Sequence, residues 1–421
     1  MLNKNNILQN ILTNNIEYLS KKEELDKDII INGINNGSMV LLANNNHKNV
    51  IPTLIGQPAK IKVNANIGTS PLICSHKEEM EKLNVLEKAG ADTYMDLSIG
   101  GDLDLIRKDM INASKLPIGT VPIYAVAKRN SDKGRTPEQL NMEEVFEEIE
   151  KQAENGVDFM TIHTGIDLKA VEFAEKNRIL GVVSRGGSMI ARWMRKNNQE
   201  NPLLTQFDRI VKIAKKHNVT LSLGDGMRPG ATADAGDYAQ FQEITVLGEQ
   251  AKYAFDNGVQ VMIEGPGHVS INQVAAQIKT IKTITNNAPL YILGPLAIDN
   301  SPGYDHISGA IGASIAVMAG ADFLCYLTPA EHLTLPNKDD VHQGVIASKI
   351  AAMAGETALN RKYARELQNN MSIARQKLDW DKMKEYALDK EIVDKRRESH
   401  KDKDECAMCG EFCSVKLQNI D

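Results

Sequence analysis

The feature that most constrains the fold is an alternation. From about residue 60 onward, short β-branched stretches are separated by amphipathic ones, and the stretches recur every ~23–40 residues, the spacing of βαβ units. The runs are "KIKVNANIG", "ADTYMDLS", "TVPIYAV", "VDFMTIHTG", "LGVVSRGG", "TLSLGDG", "VQVMIEGPGH", "PLYILGPL" and "DFLCYLTPAEH". Between them, "KEEMEKLNVLEKAGA" puts Met80, Leu83 and Leu86 on one helical face, and "NMEEVFEEIEKQAENGV" does the same with Val145, Ile149 and Ala153. Eight such units over about 250 residues close most naturally into a (β/α)8 barrel of the TIM type. Nine candidate strands compete for eight places, so one lies outside the barrel.

Reactive side chains stand at or just beyond the ends of these runs: Asn66, Asp96, Tyr124, His163, Ser184, Arg185, Asp225, Glu264, Tyr291 and His332. The C-terminal rim is where barrels build active sites, and this placement favours a barrel over a doubly wound sheet. Residues 1–60, rich in Asn, Lys and Ile, read as a small N-terminal region without visible chemistry. The barrel is expected over 61–340 and helices over 341–400. Over 401–421 a flexible tail is expected, because "RRESHKDKDE" abandons the apolar pattern.

The tail carries three of the five cysteines, Cys406, Cys409 and Cys413, spaced Cys-x2-Cys-x3-Cys with Gly410 easing the turn. An odd cysteine count with one tight cluster is not a secreted disulfide framework and points to a metal centre in a reducing compartment. A closed zinc site needs a fourth ligand, for which the tail offers only His400. Three thiolates suit a [4Fe-4S] cluster with one open iron for S-adenosyl-L-methionine, and the spacing favours the cluster over zinc. The net charge of -6 gives no general attraction for nucleic acid or an anionic membrane. No apolar run approaches the ~18 residues of a membrane span, and the start has no signal-peptide pattern, which together read as cytoplasmic.

Two further groups sit on the rim. His268 in "IEGPGH" and His332 in "TPAEH", with Glu264 four residues from the first, could hold a divalent metal with open positions, or could be ordinary loop histidines. "VSRGG" and "GDGMRPG" could cradle an anion through glycine amides and the charged forks of Arg185 and Arg228, or could be tight strand-to-helix turns. "PGYDH" places Tyr304, Asp305 and His306 together without an assigned role.

The ordered series "KVNANIGTS", "MDLSIGGDL", "PIGTVPIY", "VSRGGS", "SLGDGMRPG", "MIEGPGHV", "LGPL", "PGYDHI", "CYLTPAEHL", "LPNKDDV" and "CAMCGEFC" closely resembles the phosphomethylpyrimidine synthase family, radical S-adenosylmethionine enzymes of thiamine biosynthesis. The resemblance runs from about residue 60 to the C-terminus. It implies a (β/α)8 barrel in a homodimer whose tethered cluster closes over the partner's barrel. It also implies conversion of 5-aminoimidazole ribotide to 4-amino-5-hydroxymethyl-2-methylpyrimidine phosphate with an external electron donor, releasing 5'-deoxyadenosine, methionine, formate and carbon monoxide. By motif match the ribotide would be held by Asn66, Met95, Tyr124, His163, Ser184, Arg185, Gly186, Asp225, Gly226, Met227, Arg228, Glu264 and Tyr291. His268 and His332 would bind zinc or another divalent metal, and Cys406, Cys409 and Cys413 the cluster. The chain departs from the pattern in three places: three residues rather than four between the last two cysteines, "GMRPG" for "GLRPG", and "AIDNSPGYDH" for a form ending "DIAPGYDH". A paralogous family, the 5-hydroxybenzimidazole synthases of cobamide synthesis, shares substrate, cluster and fold and is the alternative reading.

Overall fold

A computed structural model describes residues 1–418. Eight parallel strands close into a barrel: β3 (Lys62–Ile67), β4 (Thr93–Asp96), β5 (Ile118–Thr120), β6 (Phe159–Ile162), β7 (Thr220–Leu223), β8 (Val261–Glu264), β9 (Leu290–Leu293) and β10 (Phe323–Cys325). They follow one another around the ring in chain order, and β10 pairs with β3 through Phe323↔Lys62, Leu324↔Val63 and Cys325↔Asn64. Ahead of them β1 (Val40–Leu42) and β2 (Thr53–Ile55) form a two-stranded antiparallel sheet. The expected (β/α)8 architecture is therefore present.

Eight strands rather than nine are realised because one run forms none, and a second is strand only at its first residue. "LGVVSRGG" contains no strand; Ser184 is extended and caps the helix Arg185–Asn197, its Oγ accepting the Gly187 N–H at 3.1 Å. In "TVPIYAV" the strand ends at Thr120, and Pro122 opens the helix Pro122–Asp132 at a position where its missing N–H costs nothing. Tyr124 is thus in a helix's first turn rather than at a strand end. Both runs are β-branched, but both sit where an extended residue caps a helix.

The lower barrel interior is aromatic. Tyr291 stacks on Phe323 with centroids 4.3 Å apart, and Phe159 meets Phe323 edge-on at 6.2 Å. Phe159 fits because residue 119 is glycine; a Cβ there would lie 2.3 Å from its ring.

The N-terminal region closes the barrel's N-terminal end. Its own apolar cluster, including Leu8, Leu12, Leu19, Ile30, Ile34, Leu41 and Leu54, is fully buried or nearly so. Three of its backbone N–H groups donate to side chains of residues that immediately precede barrel strands. Asn44 N donates to Asp158 (2.7 Å), Leu41 N to Gln260 (2.7 Å) and Gln57 N to Asp322 (2.7 Å). A lysine–glutamate pair is wholly buried there, Lys62 Nζ on Glu23 Oε2 at 2.8 Å with both side chains at most 2% exposed.

The chain divides into two compact units, Met1–Gly355 and a second that begins at Glu356. The second contains the helices Lys362–Gln376, Trp380–Tyr386 and Lys390–Arg397. Arg397 lies 3.8 Å over the Trp380 ring and donates to the Lys403 and Glu405 carbonyls, while Trp380 Nε1 donates to the Asp404 carbonyl at 2.6 Å. Residues 403–405, just before the cysteines, are held by this clamp. The turn Gly410–Phe412 and the helix Ser414–Gln418 follow; residues 419–421 of the expected tail lie outside the described residues. Among the described residues no helix is long and apolar enough to cross a membrane.

The Glu23–Lys62 pair makes the seal testable. Lys62→Ala strands a buried carboxylate and should cost about 3–5 kcal/mol, while the double change Glu23→Leu with Lys62→Met should recover most of that loss. Urea unfolding followed by circular dichroism measures both, and a cost under ~1 kcal/mol for Lys62→Ala would remove the pair from any structural role.

Candidate active site

Above the aromatic layer the barrel interior turns polar. Thr161 on β6 and Ser222 on β7 both donate to one oxygen of Glu264 at the end of β8, Oε1, at 2.6 and 2.5 Å. Burial pushes the Glu264 carboxyl up to about 7, the negative charge of Asp225 adding to the rise while the two hydroxyls and Arg228 oppose it. Such a group exchanges a proton near neutral pH, the property required of a general acid or base. Asp225, just beyond β7, accepts Arg228 Nη1 at 3.0 Å; burial raises it too and Arg228 holds it down.

His163, just past β6, is kept neutral: burial and then Arg228 lower it to about 3. Its Nε2 lies 3.0 Å from Ser184 Oγ, which already accepts the Gly187 N–H and so has its own hydrogen to give. That leaves the imidazole proton on Nδ1, a buried atom without a partner among the described residues. The ring is pressed against Gly186, where a Cβ would fall 2.3 Å from Cε1.

On the opposite wall Asn64 on β3 organises a network. Its amide donates to Asn66 Oδ1 (2.7 Å) and Tyr291 OH (2.8 Å), and its Oδ1 accepts from Thr93 (2.7 Å). Asn66 Nδ2 in turn donates to Cys325 Sγ at 3.1 Å, and burial pushes that thiol up to about 12, so it stays protonated.

Asn66, Met95, Tyr124, His163, Ser184, Asp225, Arg228, Glu264 and Tyr291 line one cavity in the C-terminal mouth, joined by Thr161 and Cys325. Arg185 instead lines an adjoining cavity of about 480 Å3 with Glu331 and His332, its guanidinium 5.0 Å from the Tyr124 ring centre. Besides Arg185, three more of the expected residues do not line the first cavity. Gly186 backs His163; Gly226 packs on Ile166, where a Cβ would fall 2.2 Å from Cδ1; and Met227 is fully buried, its N–H donated at 2.7 Å to Glu243. Thr161, Ser222 and Asn64 were missed by sequence reasoning, though the alternation that turns His163 and Glu264 inward points Thr161 inward as well.

The metal expectation rests on His268 and His332, whose ring centres stand 5.4 Å apart. Two imidazoles each ~2.0–2.1 Å from a shared ion stand roughly 5 Å apart centre to centre. Each ring also has a carboxylate at Nδ1, Asp299 at 2.8 Å for His268 and Asp305 at 3.4 Å for His332, which frees Nε2 as ligand atom. The pair therefore fits a divalent ion with further positions open. A different group, Glu150, Glu154 and His217, brings its ligand atoms within 4.8 Å of one another. It fits a metal poorly: Asn46 donates to the Glu154 carbonyl and presents its N–H to His217 Nδ1, leaving the proton on Nε2, while Lys216 already binds both carboxylates. In the tail, Cys406, Cys409 and Cys413 are unpaired thiols on successive turns, the donor set of a cluster with an open position.

A closed parallel barrel with a titratable carboxylate, an orphaned imidazole donor and paired Asp–Arg charge in its C-terminal mouth has the form of a TIM-barrel enzyme. Residues 4–419 match the model of the radical SAM ThiC family. Proteins called phosphomethylpyrimidine synthase from Thermoanaerobacter sp. (strain X514), Carboxydothermus hydrogenoformans and Methanocaldococcus jannaschii are each 47% identical to the chain. The alignments cover 97%, 98% and 97% of this chain and 96% of each relative. The chain belongs to the radical SAM ThiC family, and with that membership come a [4Fe-4S] cluster and S-adenosylmethionine.

Glu264 makes a pH-dependent prediction. Its folded pKa of about 7 lies above the ordinary carboxyl value of 4.5, so its burial costs little at pH 4, where both states are mostly protonated. The cost grows as pH rises from there through 7, where both states become ionised. Glu264→Gln should therefore gain stability over the parent progressively from pH 5 to 8, by about 1–3 kcal/mol at the plateau. Thermal unfolding of both proteins across that range is the measurement; a constant difference would place the pKa near its ordinary value.

Proposed function

We propose that this chain rearranges 5-aminoimidazole ribotide to 4-amino-5-hydroxymethyl-2-methylpyrimidine phosphate, the pyrimidine precursor of thiamine, releasing 5'-deoxyadenosine, methionine, formate and carbon monoxide. The observation that supports it most is that nine of the thirteen residues assigned to the ribotide by motif match, scattered from Asn66 to Tyr291, line a single cavity. The name phosphomethylpyrimidine synthase borne by relatives 47% identical over nearly the whole chain favours this product over 5-hydroxybenzimidazole.

Cys406, Cys409 and Cys413 would hold the cluster, which when bound and given an electron from an external donor would supply the reductive cleavage of S-adenosylmethionine. A divalent ion on His268 and His332, zinc by resemblance, would add a Lewis acid at the rim. Everything else falls to the barrel. Arg228, with Asp225 fixing its fork, and Arg185, packed on Tyr124, offer charge-assisted hydrogen bonds to the ribotide phosphate. His163, neutral, offers its Nδ1–H, and Asn66 and Tyr291 hold polar groups on the facing wall. Glu264 takes or returns a proton as the substrate's nitrogen atoms change bonding, with its free oxygen Oε2 the reacting atom. The closed N-terminal end leaves one mouth through which water must be excluded while a fragmenting substrate is held. We read the enzyme as cytoplasmic and homodimeric.

The test is anaerobic. The reconstituted protein receives 5-aminoimidazole ribotide, S-adenosylmethionine and a reductant, and products are identified by mass spectrometry. A phosphorylated aminopyrimidine with 5'-deoxyadenosine is expected. Formation of 5-hydroxybenzimidazole would move the enzyme to cobamide synthesis, and no 5'-deoxyadenosine from protein with a verified cluster would end the radical reading. Gly186→Ala, which displaces the His163 ring, should leave the cluster intact and weaken ribotide binding by about 10-fold or more, read by calorimetry.

A further inference from the structure

We propose that the segment 299–305 is a two-point clamp that sets both metal-binding histidines. Asp299 and Asp305, six positions apart at its ends, are the positioning residues that hold His268 and His332 with Nε2 as the ligand atom. The inference rests on the reading of His268 and His332 as a metal pair and gives a role to Asp305 of "PGYDH", the motif without an assigned role in the sequence.

The geometry is specific. Asp299 Oδ1 accepts the His268 Nδ1–H at 2.8 Å, and Asp299 is itself held by the Thr232 N–H and Oγ1 at 2.9 and 2.7 Å. Thr232 follows the Arg228 turn, so the phosphate side of the mouth braces the first histidine. Asp305 begins the helix Asp305–Ala319; only 2% exposed, it accepts Ser301 Oγ at 3.3 Å and faces His332 Nδ1 at 3.4 Å. A carboxylate so buried is costly unless cations or donors compensate it, and an imidazole made electron-poor by a metal is such a donor. His332 itself has φ +60°, a left-handed conformation that is uncommon for a residue with a Cβ and that holds the ring toward Asp305 and His268.

The two ends differ. His268 is 10% exposed on a short, anchored hydrogen bond; His332 is half exposed on a long one. His268 is the fixed ligand and His332 the adjustable one, so losing Asp299 should cost more than losing Asp305.

The test uses the full chain with Cys406, Cys409 and Cys413 changed to alanine, so that Co2+ binding reports the barrel alone. Visible absorption follows the Co2+ titration, and competition with Zn2+ gives affinities. Asp299→Asn keeps an acceptor but removes the charge and should weaken Co2+ by about 10–100-fold with a changed spectrum; Asp305→Asn should weaken it less. Thr232→Val, which leaves the carboxylate and removes its anchor, should fall between the parent and Asp299→Asn. Metal-free thermal unfolding of each variant separates a positioning effect from a folding one, and Thr232→Val carries the test should Asp299→Asn not fold. Affinities within about 2-fold of the parent in all three variants would overturn the clamp while leaving the metal site. A parent that binds no Co2+, or His268→Gln binding it unchanged, would overturn the metal pair and the clamp with it.

Discussion

Parallel closure is the constraint on which the rest depends. When eight strands run the same way around a ring, every chain direction points to one mouth, and side chains from positions far apart in sequence are delivered to the same few ångströms. Glu264 acquires its character this way. Thr161, Ser222 and Glu264 come from three consecutive strands, and only the ring's register sets two hydroxyls against one carboxylate oxygen. The aromatic layer of Phe159, Tyr291 and Phe323 beneath keeps the polar layer above it dry from below, and the dryness lifts Glu264 toward neutrality while keeping Cys325 a thiol and His163 an imidazole.

Much of this was legible in the chain and part was not, for identifiable reasons. The alternation of β-branched and amphipathic runs revealed the barrel because burial on both faces demands continuous apolar strands. It misled at "TVPIYAV" and "LGVVSRGG", where Val121 and Ser184 are extended only to cap helices, and β-branched propensity does not distinguish a strand from a cap approach. Rim residues such as Asn66, His163, Asp225 and Glu264 were visible because polar groups at the ends of apolar runs need a reason to be there. The supports were not. Met227 and Gly226 read as anion cradles, yet the Met227 amide turns inward to Glu243, a residue 16 positions later on another element. Asn64 and Ser222 are small polar residues within apolar runs, and their roles come only from the partners that closure places beside them.

The second unit carries a different lesson. A run of charges suggested nothing but solvation, yet Arg397 stacks on Trp380 and ties down the carbonyls that lead into Cys406. Charged side chains with long apolar stems pack as well as dissolve, and composition alone cannot tell which they will do. Local order before the first cysteine limits the orientations available to the thiols and so lowers the entropy that a bound cluster must overcome.

The N-terminal seal has a consequence for how the molecule comes into being. Leu41, Asn44 and Gln57 leave the ribosome early, but the residues that satisfy their backbone follow 219, 114 and 265 positions later. At roughly 5–20 residues per second, the hairpin and its exposed leucines wait on the order of 10–50 s for the last of those partners. Closure of the ring at β10 and completion of the seal at Asp322 are separated by one residue, so the last hydrogen bond of the seal and the last strand of the ring become available to the chain together.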